Sequence, residues 1–473
     1  MRLPTGPTAR RSLIALITLG GILLLAAIAL PPALGARAQQ AYQDLLRGTV
    51  AALPPGWVLV EHYERGWFSS RANAELTRQP LPGQTTAGVS RIRLDSRIEQ
   101  GPWAWFNAEI FPALTQVHTR VELLADPLRV PPLLFTTTIG ADGSGLTRLL
   151  IPATEQSGTP DGLRLQSQDI TGTARYRPNP RQLAADLRIP GLALLDTAGP
   201  VARLTDARLK ADLTGWIGGL FTGRTSLEVD SAEFSPPPQP DANAKAALVQ
   251  RLRLNLEQVP QGQTPTLRLD LRLDAAADLL RLGSVDYRTP VIGLAARSLD
   301  AAALAEINTA LRTLSDDGAS RAMRGLVGAT LLTQLLPRFL TAGPSLTLDP
   351  FTLTTPEGPV AAHLSLGATA QAGGGANGAA ALLGALLNRG KANWLAGIKG
   401  DGAIDLPQAI ALEWLARADT AVPPAPAQRL QTWIDGGWVN ARDGRVTSTV
   451  RLADGQLSVN GKPVPLLRSV FGR

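Results

Sequence analysis

Alternation with a period of two runs through most of the chain. Leu252, Leu254 and Leu256 alternate with Arg251, Arg253, Asn255 and Glu257. After a loop containing Pro and Gly, Leu267, Leu269, Leu271 and Leu273 alternate with Arg268, Asp270, Arg272 and Asp274. Successive strand side chains point to opposite faces, so each segment carries one apolar and one ionic face. The two segments predict a hairpin in which opposite charges meet across strands. The same pattern recurs in Ile92-Leu94-Ile98, in Leu183-Ala185-Leu187-Ile189, in Ala207-Leu209-Ala211-Leu213, and in Val446 to Leu452 followed by Asp454-Gly455 and Leu457-Val459. One-sided strands belong to antiparallel sheets with one solvated face. Buried parallel sheets read as continuous apolar runs instead, which argues against a doubly wound fold.

Helical spacing interrupts this pattern at Ala38 to Ala51, Ala301 to Leu314, Ala319 to Leu340, Ala379 to Leu387, Leu406 to Arg417 and Ala427 to Asp435. All but the first fall in the C-terminal half. The expected fold class is therefore α+β, mainly β: an elongated, curved antiparallel sheet with several helices packed in the C-terminal half. Pro236-Pro237-Pro238-Gln239-Pro240 is a stiff, extended stretch, and a loop boundary near residues 235–245 is one way to divide the body. The alternation resumes beyond it unchanged, which favours an excursion between strands of one sheet. Ala368 to Ala380 is an Ala/Gly tract with the composition of a loop.

The N-terminus departs from all of this. Ser12 to Leu30 is uncharged and apolar, about 28 Å long as a helix at roughly 1.5 Å per residue, enough for a bilayer core of roughly 30 Å. Arg2, Arg10 and Arg11 precede it and Pro31-Pro32 ends it. The excess of positive charge predicts a cytoplasmic tail over 1–11, a transmembrane anchor over 12–30 and an exported body over 31–473. Ala36-Arg37-Ala38 offers the small residues of a signal-peptidase site, but the apolar run is longer than a cleaved signal usually carries. Leu326 to Leu340 is too short and too polar for a second span; Leu332, Leu335, Leu336, Phe339 and Leu340 have the spacing of a helix packed on a sheet.

Composition narrows the classes of function. Hydrophobic residues make up 44% and charged residues 18% of 473 residues, so the body has the means to build a core. The formal charge of +7 falls to +4 (43 cationic against 39 acidic residues) once Arg2, Arg10 and Arg11 are set aside. Basic residues alternate with acidic ones instead of clustering with aromatics, which argues against nucleic acid as a partner. The chain has no cysteine, which removes disulfides, thiolate metal sites and thiol nucleophiles.

One block is distinctive: Tyr63-Glu64-Arg65-Gly66-Trp67-Phe68-Ser69-Ser70 between two short strands, with Gly66 able to take the conformation of a tight turn. On the residues alone it is a hairpin with two aromatics in the core. It also resembles the signature of the YdgA-like family of bacterial envelope proteins of unknown function. The N-terminal anchor, Gly101-Pro102 after the next strand, and the C-terminal segment Asp454-Gly455-Gln456-Leu457-Ser458-Val459-Asn460-Gly461-Lys462 are similar as well. The position before Gly101 is commonly His in that family and is Gln100 here, so no role of that His carries over. The resemblance implies a single-pass protein of the bacterial inner membrane with its body in the periplasm. It supplies no catalytic residue, metal or cofactor.

The remaining motifs are weak. Gly373 to Gly378 matches G-x-G-x-x-G but lacks the alternating βα units that give the motif its phosphate-binding mechanism. His62, His118 and His363 sit on separate strand-like segments without metal-ligand spacing. Ser69, Ser70 and Ser144 lack a nucleophile elbow, and Asp270, Asp274 and Asp278 are spaced as a solvated strand face. No catalytic machinery is expected. Three readings stand: a structural or assembly factor of the envelope acting through protein partners or as a homodimer; a protein whose apolar face binds or conducts lipid; and an exported hydrolase. A closed core favours the first, a continuous exposed apolar face the second.

Overall fold

The computed structural model describes residues 39–40, 42–43, 46, 57–78, 88–100, 113–126, 131–157, 164–178, 181–196, 199–217, 220–235, 246–262, 267–283, 285–304, 306–307, 342–368, 398–418, 425–453 and 455–464. The expected tail, anchor, proline stretch, Gly373–Gly378 motif and the helices over 319–340 and 379–387 lie outside these residues. Among the described residues no helix is long and apolar enough to cross a membrane. The protein is mainly β and antiparallel throughout, and it divides into two compact units at Leu187/Arg188.

The first unit is a meander. Strands β1 (Trp57–Arg65), β2 (Ser69–Arg78), β3 (Gly88–Gln100), β4 (Ala113–Asp126), β5 (Leu133–Gly140) and β6 (Gly145–Ile151) pair in sequence order. After the small hairpin of β7 (Thr154–Ser157) and β8 (Arg164–Ser167), β9 (Ile170–Pro178) pairs with β6. Strand β10 (Arg181–Leu195) contains the division. The faces separate as the alternation predicts: Ala72, Ala74, Leu76 and Ile98 are buried, while Arg71, Asn73, Arg93 and Arg97 are exposed. Ahead of β1, residues 39–40, 42–43 and 46 are helical; Leu46 is buried, and the Tyr42 ring stands 6.2 Å from that of Tyr63.

The second unit begins with the long strands β11 (Pro200–Ile217), β12 (Leu220–Phe234) and β13 (Ala247–Gln261). Strand β14 (Arg268–Ala276) and β15 (Leu279–Leu282) both pair with β13 and with β16 (Val285–Asp300), so they act as one strand kinked at Ala277-Asp278. The predicted hairpin is β13–β14, with Leu256 opposite Leu273 and Glu257 opposite Arg272. Asp300 accepts a bond from the Ala303 N–H (2.7 Å), capping the helical turn that starts at Ala301. Strands β17 (Ser345–Thr355), β18 (Gly358–Ala368) and β19 (Ile398–Pro407) continue the order.

Two helices follow, α1 (Gln408–Ala418) and α2 (Pro426–Gly436), both where helical spacing predicts them. The expected start at Leu406 moves to Gln408 because Leu406-Pro407 still belongs to β19. Pro426 opens α2 at a position where its missing N–H costs nothing, and Gly437 closes it in the left-handed region at φ 73°. Ile410, Ala411 and Leu430 pack with Leu353, Val360, Leu406, Val446 and Tyr287 into the main buried cluster. Strands β20 (Asn440–Arg442), β21 (Arg445–Ala453), β22 (Gln456–Val459) and β23 (Lys462–Val464) complete the sheet, with β21 paired to β19 across the helical excursion.

Candidate functional site: an apolar sheet face

The signature block is a tight hairpin end. Gly66 sits in the β1–β2 turn, where an added Cβ would meet the Ser69 carbonyl oxygen at 2.2 Å, so only glycine fits. The turn is tied to β3: the Gln100 N–H donates to the Phe68 carbonyl (2.8 Å), and Gln100 Nε2 donates to Ser70 Oγ (3.1 Å). Ser70 and Gln100 are both buried, and Gln100 Oε1 has no hydrogen-bond partner among the described residues. Burial pushes the Tyr42 phenol up from its ordinary value, and the buried Tyr63 hydroxyl beside it has no hydrogen-bond partner among the described residues. The two aromatics correct the expectation of a core position, since Trp67 is 55% and Phe68 39% exposed. They occupy the tip of the β1–β2 hairpin. Ser69 is exposed on β2, and Gly101-Pro102 lies outside the described residues.

At the C-terminal end, Gly455, Asn460 and Gly461 all take positive φ (75°, 49° and 78°), as turns between β21, β22 and β23 require. Asn460 does more than turn the chain. Its Oδ1 accepts from the Thr449 N–H (2.9 Å), and its Nδ2 donates to the Gly437 carbonyl (3.1 Å), joining the last hairpin to β21 and to the cap of α2. These signature residues are brought together in two structural knots.

Catalytic geometry does not form at the polar positions. Ser144 donates through both N–H and Oγ to Asp142 Oδ1 (2.9 and 2.6 Å), which holds that carboxyl below the usual carboxylate range; this is turn chemistry. His62 pairs with Glu64 (3.3 Å) and His118 Nδ1 with the Thr136 hydroxyl (3.3 Å). His363 stands 3.7 Å from Asp401 in a recess of about 420 Å³ that also contains Ser365, but the two side chains are 50% and 64% exposed. Ser365 lies two residues from His363 on one strand face, roughly 6.6 Å away at about 3.3 Å per residue, with no hydrogen bond between them, so the chain of contacts that activates a serine is missing. Asp270 accepts from the Ser298 N–H (2.7 Å), Asp274 pairs with Arg272 (2.8 Å) and Asp278 with Arg251. No group of three metal-ligating side chains occurs among the described residues.

The feature that is continuous is apolar. Cross-strand partners share a face, and from β13 the partners run Leu256, Leu273, Leu294, Leu348 and Leu364 across five strands. The row continues through Gly402 of β19 and Val450 of β21 to Val459 of β22. Eight strands at roughly 4.8 Å make a band about 34 Å long. A parallel row contains Leu271, Ala296, Leu346 and Leu366. Leu294 and Leu364 are each 37% exposed, Val450 38% and Leu346 40%, so the middle of the band is open to solvent. Leucines lie down over glycines here: a Cβ on Gly400 would sit 2.5 Å from Leu366 Cδ2, and one on Gly402 3.2 Å from Leu364 Cδ1. The opposite face of the same strands bears Glu257, Arg272, Thr347, Ser365, Asp401 and Arg451.

The chain belongs to DUF945, a bacterial family of proteins of unknown function. The match covers residues 12–467, which takes in the apolar run before the body as well as both units of this DUF945 protein. No curated protein and no solved structure matches it. Sequence reasoning found the one-sidedness of each strand in this DUF945 body. It did not find the alignment of the apolar rows, because register is not written in any single strand.

Proposed function

We propose that this protein is a non-enzymatic, YdgA-like envelope protein, held in the bacterial inner membrane by residues 12–30 with its body in the periplasm, and that the apolar face of its second unit shelters lipid acyl chains. The open leucine rows carry the reading. A contiguous apolar patch of this extent on a secreted-type body is a binding surface and not an ordinary solvent face. Its length supports the choice of ligand: a bilayer core of roughly 30 Å is two acyl chains deep, so a band of about 34 Å accommodates a chain at full extension. The absence of ionisable groups along the rows fits hydrocarbon, whereas a protein partner of ordinary composition would call for polar anchors at the centre.

Native mass spectrometry of the detergent-purified full chain tests this, run beside a Leu294→Asp/Leu364→Asp variant. Both leucines are more than a third exposed, so each new carboxylate can reach water while the face becomes hostile to hydrocarbon. Phospholipid retained by the wild type and lost from the variant is the expected outcome. Equal lipid on both proteins assigns it to the anchor, and the acyl-chain reading is then dropped in favour of an assembly factor with protein partners.

A further inference from the structure

We infer that the Trp67-Phe68 hairpin tip of the first unit lies in the headgroup region of the membrane that holds the anchor, as a second contact between body and bilayer. Trp67 and Phe68 are adjacent, 55% and 39% exposed, and fixed from behind by the buried Ser70–Gln100 pair, so the tip is rigid and apolar at once. Arg65 and Arg71 flank it, both exposed and without an ion pair among the described residues. An aromatic pair between exposed arginines matches the interfacial layer, where indole rings sit at headgroup level and guanidinium groups reach lipid phosphates.

The chain that precedes the body lies against the half of β1 next to this tip. The Tyr42 ring lies tilted beside that of Tyr63, and Gln43 Nε2 donates to Glu61 Oε1 (3.0 Å), two residues nearer the start of β1. Leu46 of the same helical stretch is buried. These contacts put residues 42 and 43 beside the half of β1 nearer Arg65. Only eight residues, 31–38, separate the first described residue of the stretch from the end of the expected span at Leu30. Fully extended they reach about 28 Å at roughly 3.5 Å per residue, a tether that limits how far the half of β1 next to the tip stands from the end of the expected span.

This inference rests on the anchor reading, and the experiment separates the two. The chain has no cysteine, so single cysteines report cleanly. The full chain is reconstituted in nanodiscs of phosphatidylethanolamine and phosphatidylglycerol, with an environment-sensitive fluorophore at Ser69→Cys beside the tip, at Val60→Cys on the same hairpin away from it, or at Gly20→Cys within the expected span. Lipids bearing a quencher near the headgroup should quench the label at 69 at least twofold more than that at 60. Trp67→Ser/Phe68→Ser in the Ser69→Cys background should abolish the difference. Equal quenching at 69 and 60 while the label at 20 responds to a deep quencher overturns the tip contact and leaves the anchor intact. A label at 20 that no lipid quencher reaches overturns the anchor reading and the inference with it.

Discussion

Whether the leucine band is open can be measured as a difference in stability between two truncations in the same unit. A fully buried leucine or isoleucine contributes about 1.5–3 kcal/mol through burial. Leu364 is 37% exposed, so it keeps roughly three-fifths of that. Alanine retains Cβ, so Leu364→Ala should cost about 1 kcal/mol, and water on the open side means that no cavity forms. Ile410 is 1% exposed and packs with Val360, Leu406 and Leu430, so Ile410→Ala should cost about 2–5 kcal/mol, the cavity included. Both residues belong to the second unit, and urea unfolding of that unit reports both at a common slope. A loss at Leu364 as large as that at Ile410 would mean that another part of the chain seals the band, and the lipid-binding argument would fall.

Three further outcomes follow from local geometry. Gly293→Ala should destabilise by about 1–3 kcal/mol in thermal unfolding, because the new Cβ would stand 2.5 Å from the Asp349 carbonyl oxygen, a backbone atom of the next strand that has no rotamer to retreat to; wild-type stability would refute that close approach. Asn460→Gly should lose about 1–3 kcal/mol with the bonds to Thr449 and Gly437, and Asn460→Ala should lose about 1–2 kcal/mol more because φ is 49°; the reverse order would show that the side-chain bonds are not made. The Tyr42 phenol is raised above its ordinary 10.0 by burial, so the unfolded chain ionises first. Stability is whole below pH 10 and falls as pH rises toward the folded value. Tyr42→Phe should remove that alkaline loss, read by unfolding across pH.

The sequence announced which residues share a face, because a strand's side-chain period is fixed at two. It could not say how far those faces extend. Leu252, Leu254 and Leu256 are interchangeable against Leu269, Leu271 and Leu273, and a two-residue slip preserves the pattern. Helix ends were legible where the chemistry is local, as at Pro426 and Gly437, and misplaced by two residues at Leu406, where pairing with Val446 extends β19. Trp67 and Phe68 were expected inside because large aromatics usually are. The turn at Gly66 instead places them at the hairpin tip, exposed, a consequence of loop geometry that composition does not encode. Gln100 is buried on an apolar face with one oxygen unbonded, which alternation alone would have assigned to a hydrophobe.

If the apolar rows cannot choose their own register, the ionic face must do so. In the observed pairing Glu257 of β13 stands opposite Arg272 of β14 and, on its other side, opposite Arg224 of β12, whose Nη2 is 2.8 Å away. Sliding β14 by two residues in either direction would set Glu257 against Asp270 or Asp274, and like charges directly opposite each other are unfavourable. The β12–β13 register likewise aligns Glu228 with Arg253. Each exposed pair adds only about 0–1 kcal/mol of stability, too little to hold the sheet together but enough, repeated across strands, to disfavour the slipped pairings. The alternating Arg and Asp/Glu residues are thus the counterpart of the open leucine rows. An apolar face supplies burial without specificity, and the charges on its reverse side keep those rows aligned across the sheet.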